Sequence, residues 1–443
     1  MSDAKPPRSG RISASSTTRR NVIAGLSSVP FLESAVHADD AGRAVALVTD
    51  FGARPDSITL CTASIQAAID DLARRGGGTV VVPQGVFLSG ALFLKPKVHL
   101  HLERGSVIRC TNEMEHFPKQ RTRIEGHFEA HFTPALINAD GCDGLRIDGE
   151  GTLDGSGRPV WDLFWSLRNR SPDPQNFPNI AIDRARLMLI ENSAAVRISG
   201  ITFKDSQFWN LHLYKCSNVT VAGVRFLVPD DYAWAPSTDG IDIDSCQHVL
   251  VEHCHFSVTD DCIAAKGSKG PRALEDRDSP PVEHILVRNC LFRRGHQAFS
   301  CGSEATIVRD VTIENCRVVG AMNVLMLKLR PDTPQLYEDI HVRDLTLDSD
   351  GGALLVVRPW SQYKDLQGAP QPQSTVSNVT LSQVKGRFGS FGEVRPNPGH
   401  TAITDIVLRD LDLVLAQEAE LAVTDAAVRL ERVQVNGRPV RSL

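Results

Sequence analysis

The densest run of carboxylates in the chain is Ser237-Thr-Asp239-Gly-Ile-Asp242-Ile-Asp244, followed by Thr259-Asp260-Asp261-Cys-Ile-Ala-Ala-Lys266. Twenty-one residues separate Asp239 from Asp260, about one coil of a β-solenoid. In such a fold the two segments stack side by side and bring Asp239 near Asp260 and Asp261. Like charges that close do not all ionise at neutral pH, so one carboxyl keeps its proton and can act as an acid. Glycoside hydrolysis needs such an acid for the leaving oxygen, with ionised partners roughly 6.5–9.5 Å away to activate a water. Carboxylates on solenoid turns also suit calcium or a solvated acidic ladder.

Other chemistry-bearing residues are less telling by themselves. Cys246, His248, His253, Cys254 and His255 invite a zinc reading, but adjacent strand residues point to opposite faces, so positions 253, 254 and 255 do not all converge. No metal or cofactor is called for. His296 alone would be an ordinary structural histidine. Lys266 follows Asp260 and Asp261 on the same run and is expected to meet an acidic sugar. Phe208 and Trp209 stand open between core and cleft.

The elements that position these residues come from a repeat. Val196-Arg-Ile-Ser-Gly-Ile-Thr-Phe203, Val219-Thr-Val-Ala-Gly-Val-Arg-Phe226, Val249-Leu-Val-Glu-His-Cys-His-Phe256 and Ile285-Leu-Val-Arg-Asn-Cys-Leu-Phe292 share one pattern, which returns from Val311, Ile340, Ile406 and Val428. With the first apolar residue numbered zero, positions 0, 2, 5 and 7 are apolar, and positions 3 and 4 are mostly Gly, Asn, Asp or charged. The pattern predicts two short strands around a corner. One copy cannot bury its inward face alone, so copies must stack as an all-β parallel solenoid. A length of 443 residues would suggest about three domains, but the repeat makes one elongated domain. Cys254, Cys290 and Cys316 fall at position 5 among Ile, Val and Leu, which favours packing over disulfides.

Ser64 to Arg75 has helical periodicity in Ile65, Ala68, Ile69 and Leu72 and stops at Gly76-Gly77-Gly78. It is expected to cap the open end of the stack. The proline-rich segments Ser171–Pro178 and Gly270–Pro281 read as loops, the second a candidate for closing an end of the cleft.

With 48 basic and 53 acidic side chains the net charge is −5, which offers no attraction to nucleic acid or an anionic membrane. The composition, 42% hydrophobic and 23% charged, is that of a globular protein. Arg19-Arg20, the mildly apolar stretch from Asn21 to Leu32 and the ending Val36-His37-Ala38 resemble a twin-arginine export signal. Residues 1–38 are therefore expected to be removed, leaving residues 39–443 as a periplasmic or secreted monomer.

The segments Asp50-Phe-Gly52, Gly77-Gly-Thr-Val-Val-Val-Pro83, Gly149-Glu-Gly-Thr-Leu-Asp-Gly155 and Phe208-Trp-Asn-Leu-His212, with Asp239-Gly-Ile-Asp242, Asp260-Asp-Cys262 and Gly295-His296, resemble glycoside hydrolase family 28, the polygalacturonases and their relatives. The resemblance implies a right-handed parallel β-helix that hydrolyses α-linked, galacturonic-acid-containing pectic chains with inversion. It implies Asp260 as general acid, Asp239 and Asp261 as the pair that activates water, and His296 as their neighbour in the cleft. Lys266, Lys328 and Arg330 are the expected substrate-binding cations. The family's Arg-x-Lys pair aligns with Met326-Leu327-Lys328, and a thioether cannot pair with a uronate. Either Arg330, on the same strand face as Met326, restores that charge, or the sugar beyond the cleavage point is neutral, as in a rhamnogalacturonan hydrolase. A calcium-dependent lyase on the same fold is the remaining alternative.

Overall fold

The computed structural model describes residues 44–360 and 364–440, and the expected export signal lies outside them. Among the described residues two long, almost wholly parallel sheets, of 24 and 11 strands, make up most of the molecule. The larger sheet contains two strand ladders that run side by side, so it supplies two sides of each coil, and the 11-stranded sheet supplies the third. This is a parallel β-helix.

The repeat register reads directly in the strand pairing. Val219, Val249, Ile285, Val311 and Ile340 stack in one column, which continues through Val379, Ile406 and Val428. Val379-Thr-Leu-Ser-Gln-Val-Lys-Gly386 is a copy that the repeat pattern does not reveal, because Gly386 stands at its last apolar position. The corner at position 4 is left-handed throughout: Gly200, Gly223, His253, Asn289, Asn315, Asp344 and Asp410 all have positive φ. That conformation explains the preference for Gly, Asn and Asp there.

Inside the coils, Phe203, Phe226, Phe256 and Phe292 stack at 5.0, 5.0 and 5.1 Å between ring centroids. All ten cysteines are buried and free, as the packing reading requires. The capping helix is present as α1 (Thr62–Arg74), with Ile65, Ala68, Ile69 and Leu72 buried against the first strands of the stack. It ends where Gly77 and Gly78 take positive φ, and a Cβ on Gly78 would stand 2.3 Å from the Ala44 carbonyl oxygen.

Three excursions leave the coils. One is the antiparallel hairpin of Gln120–Ile124 and His127–Phe132. Another is α2 (Arg158–Arg170), which begins at Gly157-Arg158-Pro159 and has no counterpart in the repeat analysis. The third is the segment around Trp234–Ser237. Ser171–Pro178 and Gly270–Pro281 are loops as expected, the latter holding one short turn at Ala273–Glu275.

Candidate active site

The site is built on neighbouring strands of the 11-stranded sheet, where Asp242, Ala264, Ser300 and Met326 share one register column. Asp239, Asp260 and Asp261 sit just before the strands Ile241–Asp244 and Ile263–Lys266. Backbone bonds lock their stacking: Gly240 N–H donates to the Asp261 carbonyl at 2.9 Å, and His296 N–H to the Asp260 carbonyl at 2.9 Å. Gly240 is required beside Asp239, since a Cβ there would come within 2.4 Å of the Cys262 carbonyl oxygen and 2.8 Å of the Phe256 ring.

A cavity of about 330 Å³ opens above this ladder, lined by Asp239, Asp260, Asp261, Lys266, His296 and Lys328. The sequence-predicted residues are thus brought together, with one exception. Arg330 is buried, bonds both oxygens of Asp332 at 2.8 and 2.7 Å, and is not among the residues lining the cavity. Arg330 lies just past the strand Asn323–Leu329, and a partner two residues along holds its guanidinium beneath the surface. In this arrangement its guanidinium is turned to Asp332 and not to the position beside Met326. The Gly270–Pro281 loop also stays out of the cavity wall; its Asp276 pairs with Arg123 at 3.5 Å and the Asp278 carbonyl accepts from Tyr214.

Each acid has a distinct environment. Asp261 Oδ2 accepts from Ser300 Oγ at 2.6 Å and from Lys328 Nζ at 2.7 Å, while its Oδ1 has no protein partner. Asp260 Oδ1 lies 3.3 Å from His296 Nδ1. Lys266 Nζ is shared at longer range, 3.7 Å from Asp242, 3.8 Å from Glu304 and 3.9 Å from Asp239.

Burial, then the charges of Asp260 and Asp242, hold the Asp239 carboxyl well above the ordinary carboxylate range. Burial pushes Asp260 the same way, but His296, followed by Lys328 and Lys266, outweighs it and holds Asp260 below that range. The free site accordingly favours a proton on the buried Asp239 and Asp242 side of the cluster over one on Asp260. Burial would lower His296, but the charge and hydrogen bond of Asp260 and the charge of Asp261 together outweigh it and raise it. Asp260, Asp261 and His296 offer ligand atoms within 4.8 Å of one another.

Residues 79–428 match the family Glycosyl hydrolases family 28. The chain belongs to this family. Among relatives, it is 24% identical over 385 residues to a probable polygalacturonase of Vitis vinifera, covering 85% of this chain and 75% of that protein. An exopolygalacturonase of Zea mays is 23% identical and covers 76% of each chain. The solved exopolygalacturonase from Thermotoga maritima has a TM-score of 0.72 at 24% identity, covering 90% of this chain and 93% of its own. The polygalacturonase from Erwinia carotovora has a TM-score of 0.65 at 19% identity, covering 86% and 94%. At these identities the structural likeness speaks for the fold.

Within this family 28 chain, several cavity residues escaped the sequence reading. Glu125 comes from the hairpin tip, Arg168 and Trp165 from α2, Trp234 from the segment before Ser237, and Glu304 and Trp360 from later coils. None lies in the repeat phrase, so periodicity could not point to them. Trp209, left open by sequence, lines the cavity, with Lys266 Nζ 5.0 Å from its ring centre. Phe208 is buried beneath the Arg184 guanidinium.

Proposed function

We propose that this family 28 hydrolase is an exported enzyme that cleaves α-linked, galacturonic-acid-containing pectic chains with inversion at the anomeric carbon. The observation that supports this most is the meeting of Asp239, Asp260 and Asp261 in one cavity with unequal proton affinities.

In this mechanism Asp260 protonates the leaving glycosidic oxygen while Asp239 and Asp261 orient and deprotonate a water. The free site favours the proton on the Asp239 and Asp242 side of the cluster. No extra proton is needed to reach the reactive state: one proton passes from that side to Asp260. A glycosidic oxygen accepts a hydrogen bond from Asp260 only when Asp260 carries that proton, so bound substrate selects the second arrangement. Asp239 is then an ionised base of raised affinity, suited to take a proton from water. Lys328 and Ser300 keep Asp261 in place beside it. His296 compensates the Asp260 charge between turnovers.

A rhamnogalacturonan hydrolase is the second reading, and a specific observation favours it: Met326 is buried and Arg330 is tied to Asp332, so in this arrangement neither offers a cation to a uronate.

The test is proton NMR of the first products from polygalacturonate and from rhamnogalacturonan, with ultraviolet absorbance followed in parallel, with and without chelator. New β-anomeric reducing ends without absorbance are expected. Retained α-anomers would refute inversion, and chelator-sensitive absorbance would replace hydrolysis with elimination.

A further inference from the structure

The cavity contains two acids that the mechanism does not use. Glu125 lies at the tip of the hairpin, in a left-handed conformation with φ of 45°, and lines the cavity together with Glu304. Gly126, the next residue, is pressed against Glu304 so closely that a Cβ would come within 2.8 Å of the Glu304 Cβ. The hairpin tip is therefore seated on the Glu304 side chain. Glu125 is 9% exposed and Glu304 5%, so both acids are largely withdrawn from water.

Most of the cations near them are already engaged. Lys328 is bonded to Asp261 and His296 faces Asp260. Lys266 divides its charge among Asp239, Asp242 and Glu304. Arg330 approaches Glu304 to 3.6 Å from below but is bidentate to Asp332. Lys269 acts on both glutamates through its charge without being among the lining residues. Arg168 is the lining cation with no ion pair among the described residues; it is anchored to the Pro174 carbonyl and lies over Trp165 on α2.

We infer that Glu125 and Glu304 form a selectivity wall that admits a sugar bearing hydroxyls and rejects one bearing a carboxylate. This inference rests on the hydrolase reading above and sharpens its substrate. A uronate placed against the wall would bring a second negative charge beside the ionised Glu304 in a largely dry site, at a cost of both desolvation and like-charge repulsion. A hydroxyl satisfies both groups, because it donates to the ionised Glu304 and accepts from a protonated Glu125. Burial, followed by the Glu304 charge, pushes Glu125 toward that protonated form, whereas Lys266 and Lys269 overcome burial to keep Glu304 ionised. The substrate is then a chain in which a neutral sugar occupies the cavity beside the wall and Arg168 remains for an acidic neighbour.

The experiment compares kcat/KM on two probes, an oligogalacturonate and a rhamnogalacturonan oligosaccharide, for the wild type, Glu125→Gln and Glu125→Lys, with melting curves to check folding. The wild type should prefer rhamnogalacturonan by at least tenfold. Glu125→Gln should keep most of that preference, since the amide also hydrogen-bonds a hydroxyl, and Glu125→Lys should move the ratio toward oligogalacturonate by at least tenfold, mainly through KM. A wild type that prefers oligogalacturonate, or a ratio unmoved in the folded Lys variant, overturns the wall. A wild type inactive on both probes would instead sink the hydrolase reading, and the wall with it.

Discussion

The outward faces of the two sheets carry the same kinds of charged residue and put them to different use. On the larger sheet, ion pairs run from coil to coil in partial contact with water, as between Arg288 and Glu252 at 2.7 Å and between Arg309 and Glu283 at 2.6 Å. The strand Gln247–Glu252 alternates buried and open positions in the ordinary way. On the 11-stranded sheet the strands Leu211–Tyr214, Ile241–Asp244, Ile263–Lys266 and Gln297–Cys301 are buried at every position. The hairpin packs on that outer face through Arg123 and Phe128, α2 and the Trp234–Ser237 segment wall the cavity, and water no longer screens the charges beneath them. Screened pairs contribute little, whereas buried ones shift proton affinities and become chemistry. The lesson is that a solenoid face becomes an active site through what is laid over it.

The sharpest way to break this contrast is at the covered face. Asp260→Asn should lower kcat by about 10²–10⁴-fold, the usual weight of a positioned general acid, with an unchanged melting temperature. Reducing-end assays measure it, and a variant retaining more than a tenth of the wild-type rate would remove Asp260 from the acid role.

Next in size is Asp244, which pairs with Arg123 at 3.2 Å with both side chains 1% exposed. Asp244→Ala leaves the guanidinium buried without this partner and should cost about 3–5 kcal/mol in urea unfolding. Burial raises Asp244, but Arg123 first and then His212 outweigh it and hold the carboxyl below its ordinary value. The sign follows: this stabilisation is fully present above the unfolded carboxylate value near 3.9 and is lost as pH falls through the lower folded value. The wild type should therefore lose more stability than Asp244→Ala on acidification, and equal losses would count against the pair.

The smallest effect belongs to the open face. Arg288→Ala should cost about 0–1 kcal/mol, less still in high salt. A cost comparable to that of Asp244→Ala would erase the distinction between the faces.

How far these features were legible in the chain varies with their physical origin. Val249, Ile285 and Val311 repeat because every coil must present the same inward face to its neighbour, so the fold and even the corner positions can be read from order and spacing. Asp239 and Asp260 are legible for the same reason, being one coil apart. The Val379 copy is hidden because Gly386 breaks the apolar pattern. Arg330 misled because alternation states which face a side chain leaves from and not which acid holds it. Glu125 left no signal, since a hairpin tip obeys no repeat.

By itself the amino-acid sequence determined the solenoid, its capping helix, the free packing of its cysteines and the stacking of three aspartates, because each depends on local periodicity that neighbouring coils multiply. Only the tertiary structure decided how unequally the carboxyls are disposed to hold a proton, that Arg330 belongs to Asp332, and that the hairpin buries part of the charged face. Those outcomes depend on distances between segments far apart in the chain and on exclusion of water, and neither is encoded in the spacing of residues along it.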